Sequence, residues 1–226
     1  MPGISVIIPV RRDAQPLSAL LREISALTPK VAEILVVDAQ ADPDVAALCV
    51  SRGIACVSSP PGRGRQLNAG ARQARGEVLW FLHADASLDR RSSAAIAQAL
   101  AAGANSGYFR FRFSAPRNLM RAVLESCIAL RCRFGTVYGD QALFMTRDAW
   151  SEAGGFAPEP LFEEVPLVRQ LKKQARFVAL AIPVGVSPRR WERDGWWRRT
   201  LMNRLLSLGY ILGVAPVRLN RWYRGD

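Results

Sequence analysis

The chain of 226 residues has a single histidine and, among its 31 basic residues, only three lysines. Its four cysteines form no CxxC pair and no zinc-type spacing with that histidine, which favours reduced thiols in a cytoplasmic protein. The N-terminus lacks the pattern of a signal peptide. The longest apolar run near the C-terminal end, residues 205–217, is too short to cross a bilayer and contains two glycines and a proline.

The charge that is present is strongly positive, with 31 basic against 19 acidic residues and a net charge of +12. Arginine supplies nearly all of this excess. A basic surface attracts anions such as nucleic acid, phosphorylated small molecules or an acidic membrane. The alternative is a compositional bias in which arginine fills ordinary surface positions.

Short apolar runs alternate with helix-length segments through the first half of the chain. This alternation predicts βαβ units and an α/β fold with a mostly parallel central sheet flanked by helices. In the second half, residues 107–115 (GYFRFRFSA) alternate aromatic side chains with arginine, which predicts an antiparallel or edge strand. Two short strands are predicted near residues 176–186. We expect one domain over residues 1–193 and a basic amphipathic helical extension over residues 194–226, packed on it.

Ligands of open α/β sheets bind beyond the carboxyl ends of the strands, so the residues that follow each apolar run are the candidate site. Asp38 ends one such run and is suited to accept hydrogen bonds from a base or ribose, with a helix cap as the alternative. His83 and Asp85 follow the run 78–82 (VLWFL). A carboxylate is the preferred ligand of Mg²⁺ or Mn²⁺, so Asp85 is the stronger metal candidate; a lone histidine is more often structural.

Two further segments carry side chains suited to chemistry. Arg63 and Arg65 lie in a glycine-containing stretch just before a predicted helix, a weak phosphate-binding pattern. Glu163 and Glu164 fall at a predicted helix start, where acidic residues also favour the helix dipole. Because successive helix residues point about 100° apart, we expect one glutamate to face a cleft as a base and its neighbour to support it.

Several segments in order, SVIIPV, EILVVDAQADPD, GRGRQLNAGARQARGEVLWFLHADA, YGDQALFMTRDAWSEAGGF, LFEEVPLVRQL and PRRWERDGW, resemble the family 2 inverting glycosyltransferases of the GT-A fold. The resemblance covers nearly the whole chain. Within the family, the sequence is most similar to a small bacterial branch with an HAD-type motif in place of DxD. This branch is associated with arsenosugar biosynthesis.

The resemblance implies a nucleotide-diphosphate-sugar donor, UDP-sugar favoured, held with Mg²⁺ or Mn²⁺. Asp38 matches the aspartate that binds the nucleotide base, and Asp85 matches the metal-coordinating aspartate of DxD. Arg190 and Trp191 resemble the Arg-Trp pair that closes over the diphosphate. With Arg63 and Arg65 of the glycine-containing stretch included, the predicted donor-binding residues are Pro9, Asp13, Asp38, Arg63, Arg65, Asn68, His83, Arg190 and Trp191.

For the acceptor side, the resemblance makes Glu164 the catalytic base, supported by Glu163. Asp140 and Gln141 lie where the acceptor loop is expected. The implied reaction is a metal-assisted transfer of a sugar to an acceptor hydroxyl with inversion, in a hexosyltransferase-like enzyme. The acceptor is either a small molecule or lipid-linked.

Three alternatives stay open at this point. One is a relative that binds nucleotide without catalysis, and another is a basic protein that binds nucleic acid or a membrane surface; we expect no nucleic-acid partner, because such binding leaves the acidic strand ends unexplained. The third concerns residues 196–224, which mix tryptophan, arginine and leucine at helical spacing. Three interpretations of this segment are open: it packs its apolar face on the domain, it lies on the inner face of a membrane, or it forms the contact of a homodimer.

Overall fold

The computed structural model describes residues 2–174 and 176–224. Met1 of the predicted domain and residues 225–226 of the predicted C-terminal extension lie outside the described residues. The strands are β1 (Ile4–Val10), β2 (Glu33–Asp38), β3 (Ala55–Ser58), β4 (Val78–Phe81), β5 (Ser87–Leu88), β6 (Ser106–Phe113), β7 (Phe144–Thr146) and β8 (Phe177–Val186). The helices are α1 (Ala14–Ser25), α2 (Pro43–Arg52), α3 (Arg63–Gln73), α4 (Ser92–Ala101), α5 (Leu119–Phe134), α6 (Arg147–Glu152), α7 (Val165–Lys173), α8 (Arg189–Asp194), α9 (Trp196–Ile211) and α10 (Pro216–Arg224).

These strands form one sheet in the order β3-β2-β1-β4-β7-β6-β8-β5. The first four strands, β1 to β4, pair in parallel, as the alternation of strands and helices predicts. β7 is antiparallel to both of its neighbours, and β5 is antiparallel to β8. The α/β fold class with a mostly parallel sheet flanked by helices is therefore confirmed.

The antiparallel pairing predicted for residues 107–115 is found between β6 and β7. β6 is also parallel to β8 and lies inside the sheet rather than at its edge, because the aromatic side chains that alternate with its arginines are buried. The prediction for residues 176–186 is corrected. Residues 177–186 form one strand instead of two. Its register against β6 shifts between Phe109 and Arg110, where Pro183, which has no backbone N–H, takes the place opposite Arg110.

The sheet has a core on each face, because successive side chains of a strand point to opposite sides. Ile4, Val6 and Ile8 of β1 belong to one cluster with the buried face of α1. Ile7 belongs to the other, with side chains of α3 and α7. A smaller cluster joins Leu206 of α9 and the α10 residue Leu219 to the loop before α7. None of the helices within the described ranges has the length and apolarity needed to cross a membrane.

Helix α3 approaches β1 and β2 closely because position 70 is glycine. A Cβ at Gly70 would lie 2.5 Å from a methyl of Ile7 and 2.9 Å from one of Val37. Both neighbours are fully buried, so neither side chain has room to move away. Since α3 begins at Arg63, this close packing also sets the position of its first residue at the sheet edge.

We expect Gly70→Ala to lower the free energy of unfolding by about 1–3 kcal/mol, because overpacking of the core outweighs the gain in helix propensity. Urea unfolding followed by circular dichroism measures the change. Gly3→Ala is the matched control, since its Cβ would meet nothing nearer than 3.4 Å, and we expect a change within about 0.5 kcal/mol. Equal stability of the two variants would contradict the proposed close contact.

Candidate active site

The carboxyl ends of β1, β2 and β4 lie side by side and are followed by the polar residues that the sequence singles out. Asp38, at the end of β2, is 3% exposed. One of its carboxylate oxygens accepts from the backbone N–H of Gln40 at 3.0 Å and the other from that of Asp42 at 2.6 Å. The loop after β2 is thus folded around Asp38, whose oxygens keep further lone pairs for a ligand.

The centre of the site is a cluster of Arg63 with two buried glutamates. The guanidinium of Arg63 is bonded to Glu163 through Nε and lies 3.5 Å from Oε2 of Glu164 through its second amino group. Oε1 of Glu164 accepts from the backbone N–H of Gly139 at 3.1 Å. Both glutamates are 2% exposed, so Arg63 provides the charge that compensates two desolvated carboxylates.

The glutamates differ from the prediction that only one of them faces a cleft. They precede α7, which begins at Val165, and therefore do not have the 100° offset of helix residues. The preceding residue, Phe162, has a φ of 63°, an uncommon left-handed conformation for a bulky side chain. Its ring is buried and packs on Tyr138 and Tyr210. This packing fixes the turn from which both carboxylates reach Arg63.

Burial and charge shift the titration of two groups at this cluster. The pKa of Glu164 is raised to about 7, chiefly because the carboxylate is desolvated and also because Glu163 lies beside it, while Arg63 opposes the shift. The pKa of His83 is lowered to about 3 by burial and by the positive charge of Arg63. His83 is therefore neutral, and its Nε2 lies 3.2 Å from an amino group of Arg63 and accepts from it.

Asp85 lies at the more exposed rim of the site, 3.2 Å from the guanidinium of Arg189. Asp13 is close enough that burial and the charge of Asp85 raise its pKa. The described part of the chain contains no cluster of three potential metal ligands. However, Mg²⁺ and Mn²⁺ commonly bind one or two carboxylates and complete their shell with substrate phosphates, so two repelling carboxylates at an open rim fit such a cation.

Two residues predicted to bind substrate make their hydrogen bonds inside the protein instead. The side-chain amide of Asn68 donates to the carbonyl of Phe156 at 2.8 Å and accepts from its N–H at 2.9 Å. Gln141 is buried, and its Oε1 accepts from the thiol of Cys132 at 3.0 Å. Both side chains therefore position loops around the site, and their predicted roles as direct ligands stay predictions.

Asp140 differs from its neighbour Gln141, because Oδ1 of Asp140 is buried and has no hydrogen-bond partner among the described residues. Burial raises the pKa of this carboxyl group. Buried polar atoms are nearly always paired, so this oxygen has capacity to accept a further hydrogen bond.

The arginines of the site are arranged differently from the sequence expectation. Arg63 is held by the glutamates, while Arg65 is exposed. Arg190 donates to the hydroxyl of Tyr223, and Trp191 packs edge-to-face on Phe113 at 5.1 Å. Arg189, which sequence reasoning missed, is the residue that pairs with Asp85. Its position next to Arg190 in SPRRWERD was the only signal that could have identified it.

Arg63, His83 and the two glutamates open onto one narrow recess at the carboxyl edge of the sheet. Its lining combines the ends of β1 and β4 with the first turn of α3 and the loops before α7. The lining residues are Pro9, Arg63, Leu67, Phe81, Leu82, His83, Gly139, Leu143, Phe156, Glu163 and Glu164. Gly64 allows the start of α3 to contact the loop before α7, because a Cβ at position 64 would collide with the carbonyl oxygen of Ala157 in that loop.

Solved structures with the same architecture are GT-A glycosyltransferases. The structure of Mycobacterium tuberculosis glucosyl-3-phosphoglycerate synthase with Mn²⁺, UDP and glucosyl-3-phosphoglycerate is similar with a TM-score of 0.66 and 19% identity, over 91% of this chain and 79% of that one. Staphylococcus aureus TarS (residues 1–349) is similar with a TM-score of 0.63 and 16% identity, over 79% of this chain and 58% of that one. At these identities the likeness shows that the chain has the GT-A fold.

The family follows from the sequence itself. The profile of the family described as Glycosyl transferase family 2 matches residues 5–150, well over half of the chain. The chain therefore belongs to glycosyl transferase family 2. No curated protein sequence matches it significantly. The narrower resemblance, to the branch with the HAD-type motif associated with arsenosugar biosynthesis, stays a prediction.

We expect Arg63→Gln to destabilise the protein more strongly at about pH 8 than at about pH 5. Without Arg63 the buried glutamates must stay charged at high pH, whereas at low pH they can take up protons. The expected loss at high pH is about 2 kcal/mol, below the ~3–5 kcal/mol of a fully buried pair, because the Arg63 side chain is 37% exposed.

Urea unfolding at the two pH values measures this difference. Arg65→Gln is the control, since Arg65 is exposed and forms no hydrogen bond or ion pair within the described residues, and it should change stability little at either pH. A loss for Arg63→Gln that is independent of pH would show that the glutamates do not depend on its charge.

Proposed function

We propose that the protein transfers a hexose from a nucleoside-diphosphate sugar to an acceptor hydroxyl with inversion, and that Glu164 is the catalytic base. The observation that carries the proposal is the burial of Glu164 at the recess, with its pKa raised to about 7. Family membership defines the reaction class as glycosyl transfer. A base whose pKa is near the working pH is present as carboxylate and still accepts a proton efficiently.

The proton follows a short path in this mechanism. Glu164 takes the proton of the acceptor hydroxyl as its oxygen attacks the anomeric carbon, and the bond from that carbon to the nucleoside diphosphate breaks. One displacement without a covalent intermediate inverts the configuration. Arg63 and the Gly139 N–H hold the carboxylate of Glu164 in place, and Glu163 neutralises the rest of the charge of Arg63.

The donor binds along the carboxyl edge of the sheet in this proposal. Asp38 accepts from the nucleotide base, and Pro9 and Asp13 line the loop beside it. A UDP-sugar is favoured because the related structures include the M. tuberculosis synthase with Mn²⁺ and UDP-glucose. Asp85 would hold Mg²⁺ or Mn²⁺ together with the donor's phosphate oxygens. The cation would neutralise negative charge that develops on the leaving diphosphate.

Arginines complete the diphosphate site. Arg189 already lies 3.2 Å from Asp85, so its guanidinium is within reach of phosphate oxygens held at the same rim. Arg190 would add positive charge here, and it lies near enough to lower the pKa values of Asp13 and His83. Together the two arginines would stabilise the negative charge of the departing nucleoside diphosphate.

The acceptor is proposed to contact Asp140, whose buried Oδ1 can accept a hydrogen bond from a hydroxyl of the acceptor. A small molecule and a lipid-linked compound both carry such a group. We propose residues 1–193 as the catalytic domain and the remaining residues as its extension. α9 covers the turn that carries Glu163 and Glu164, because the ring of Tyr210 in α9 packs on that of Phe162 with 4.8 Å between the centroids.

Glu164→Gln tests the role of the base. We expect the transfer rate to fall by about 10²- to 10⁴-fold with donor affinity unchanged, since the amide keeps the shape but cannot take the proton. In the parent protein the rate should rise with pH through about 7, the pKa of Glu164, and then level off. Transfer of labelled sugar and donor titration by calorimetry measure both quantities.

The control for this substitution is Glu152→Gln, a change of the same type at an exposed position away from the recess. It should keep full activity. A Glu164→Gln protein that retains the parent rate and pH profile would overturn the assignment of the base.

Asp85→Asn tests the donor and the cation together. We expect UDP-glucose to raise the melting temperature of the parent protein, and Mn²⁺ or Mg²⁺ to enlarge that shift. The variant should lose the enlargement, because the amide is neutral and binds hard cations poorly. Asp89→Asn, a half-buried carboxylate paired with Arg91 outside the site, is the control and should behave like the parent. A metal-dependent shift that survives in Asp85→Asn would place the cation elsewhere.

A further inference from the structure

Helix α9 has two apolar faces on opposite sides. One face packs on the domain and includes Met202 and the buried Leu206. The other is directed to solvent and is formed by residues at spacings of four, four, three and four, which keeps them on one side of a helix. Each of these side chains is at least 52% exposed; they are Trp197, Leu201, Leu205, Leu208 and Leu212.

Helix α5 carries an exposed stripe with the same spacing. Its apolar members are each at least 52% exposed, and the central position is the exposed Cys127. The opposite face of α5 packs on the domain through Ile128 and Cys132. The stripe consists of Leu119, Val123, Cys127, Leu130 and Phe134.

The two helices are connected at two levels. Near their N-terminal ends, Arg121 of α5 pairs with Glu192 at 3.1 Å and lies over the ring of Trp196. Further along, Arg131 of α5 lies over the ring of Tyr138, whose hydroxyl is 2.7 Å from that of Ser207 in α9. These contacts place the two helices near each other, and because each packs its opposite face on the domain, both stripes are directed away from the domain.

Charges around these stripes are almost entirely positive. From Trp196 to Arg224 the sequence has no aspartate, glutamate or lysine but has six arginines. Arg198 and Arg204 border the α9 stripe, one on each side, at helical positions next to its apolar residues. In α5, Glu125 is half-buried and accepts from the N–H of Phe113. A rim of arginine around an apolar stripe is complementary to the headgroups and acyl chains of an anionic bilayer.

We infer that α5 and α9 form a membrane-contacting face and that this face binds the surface of anionic phospholipid bilayers. The apolar stripes enter the boundary between headgroups and acyl chains, and the bordering arginines pair with lipid phosphates. Neither helix crosses the bilayer. The face lies apart from the recess, so vesicle binding and donor binding can be measured, and can fail, independently.

Flotation with two kinds of vesicle tests the inference: phosphatidylcholine alone, and phosphatidylcholine mixed with phosphatidylglycerol. The full chain should float with the anionic vesicles and much less with the neutral ones, and added salt should weaken its binding. The triple variant Leu201→Ser, Leu205→Ser and Leu208→Ser should bind anionic vesicles about tenfold or more weakly, because three apolar anchors are removed.

A second variant keeps the inference testable if the triple variant does not fold. Arg198→Gln with Arg204→Gln leaves the apolar stripe intact and should weaken binding to anionic vesicles about tenfold. Val50→Ser is the control, since Val50 is an exposed apolar residue of α2, on the other face of the sheet, and should leave binding unchanged. Circular dichroism and melting curves confirm folding of each variant.

Three results would overturn the inference. The first is absence of binding to anionic vesicles by the unaltered chain. The second is equal binding by the unaltered chain and both variants. The third is a dimer, seen by light scattering, that dissociates on the leucine substitutions while no vesicles are bound; it would assign the face to a second copy of the chain.

Discussion

The site depends on the contact of one guanidinium with two buried carboxylates. Glu163 and Glu164 are almost fully excluded from solvent, and a pair of desolvated like charges is tolerable only with a counter-charge between them. Arg63 supplies that charge, although the two glutamates follow it in the chain by 100 and 101 positions. The same contact connects the parallel half of the sheet with the loop before α7. The site is therefore complete only when these two parts of the chain are packed together.

The two halves of the chain contribute different parts to this arrangement. The first half supplies the carboxyl edge of the parallel strands, with Asp38 at a buried strand end and Asp85 at the open rim. The second half supplies the carboxylate that we propose as base and the arginine that faces Asp85. α9 then covers the turn at Phe162, so that a helix with an apolar outer face also stabilises the position of Glu164.

Much of the fold could be predicted from local patterns. The strands of the first half and their parallel pairing follow from apolar runs that alternate with helical segments, and the structure confirms them. The interior place of β6 and the continuity of β8 could not be predicted, because they depend on which strands become neighbours. At the site, Asn68 was predicted to bind donor, yet it bonds to Phe156, 88 residues away. A side-chain amide has the same appearance in a sequence whether a ligand or a distant backbone group satisfies it.

The sequence by itself determined the family, the order of strands and helices in the first half and the acidic residues at the strand ends. These are properties of neighbouring residues, and periodicity and spacing express them directly. Only the tertiary structure decided that Arg63 pairs with both glutamates, that Arg189 faces Asp85 and that Gln141 is turned inward. Such pairings depend on burial and on charges brought together by chain closure. The raised pKa of Glu164 is a property of that enclosure, since an exposed glutamate with the same neighbours in sequence would titrate normally.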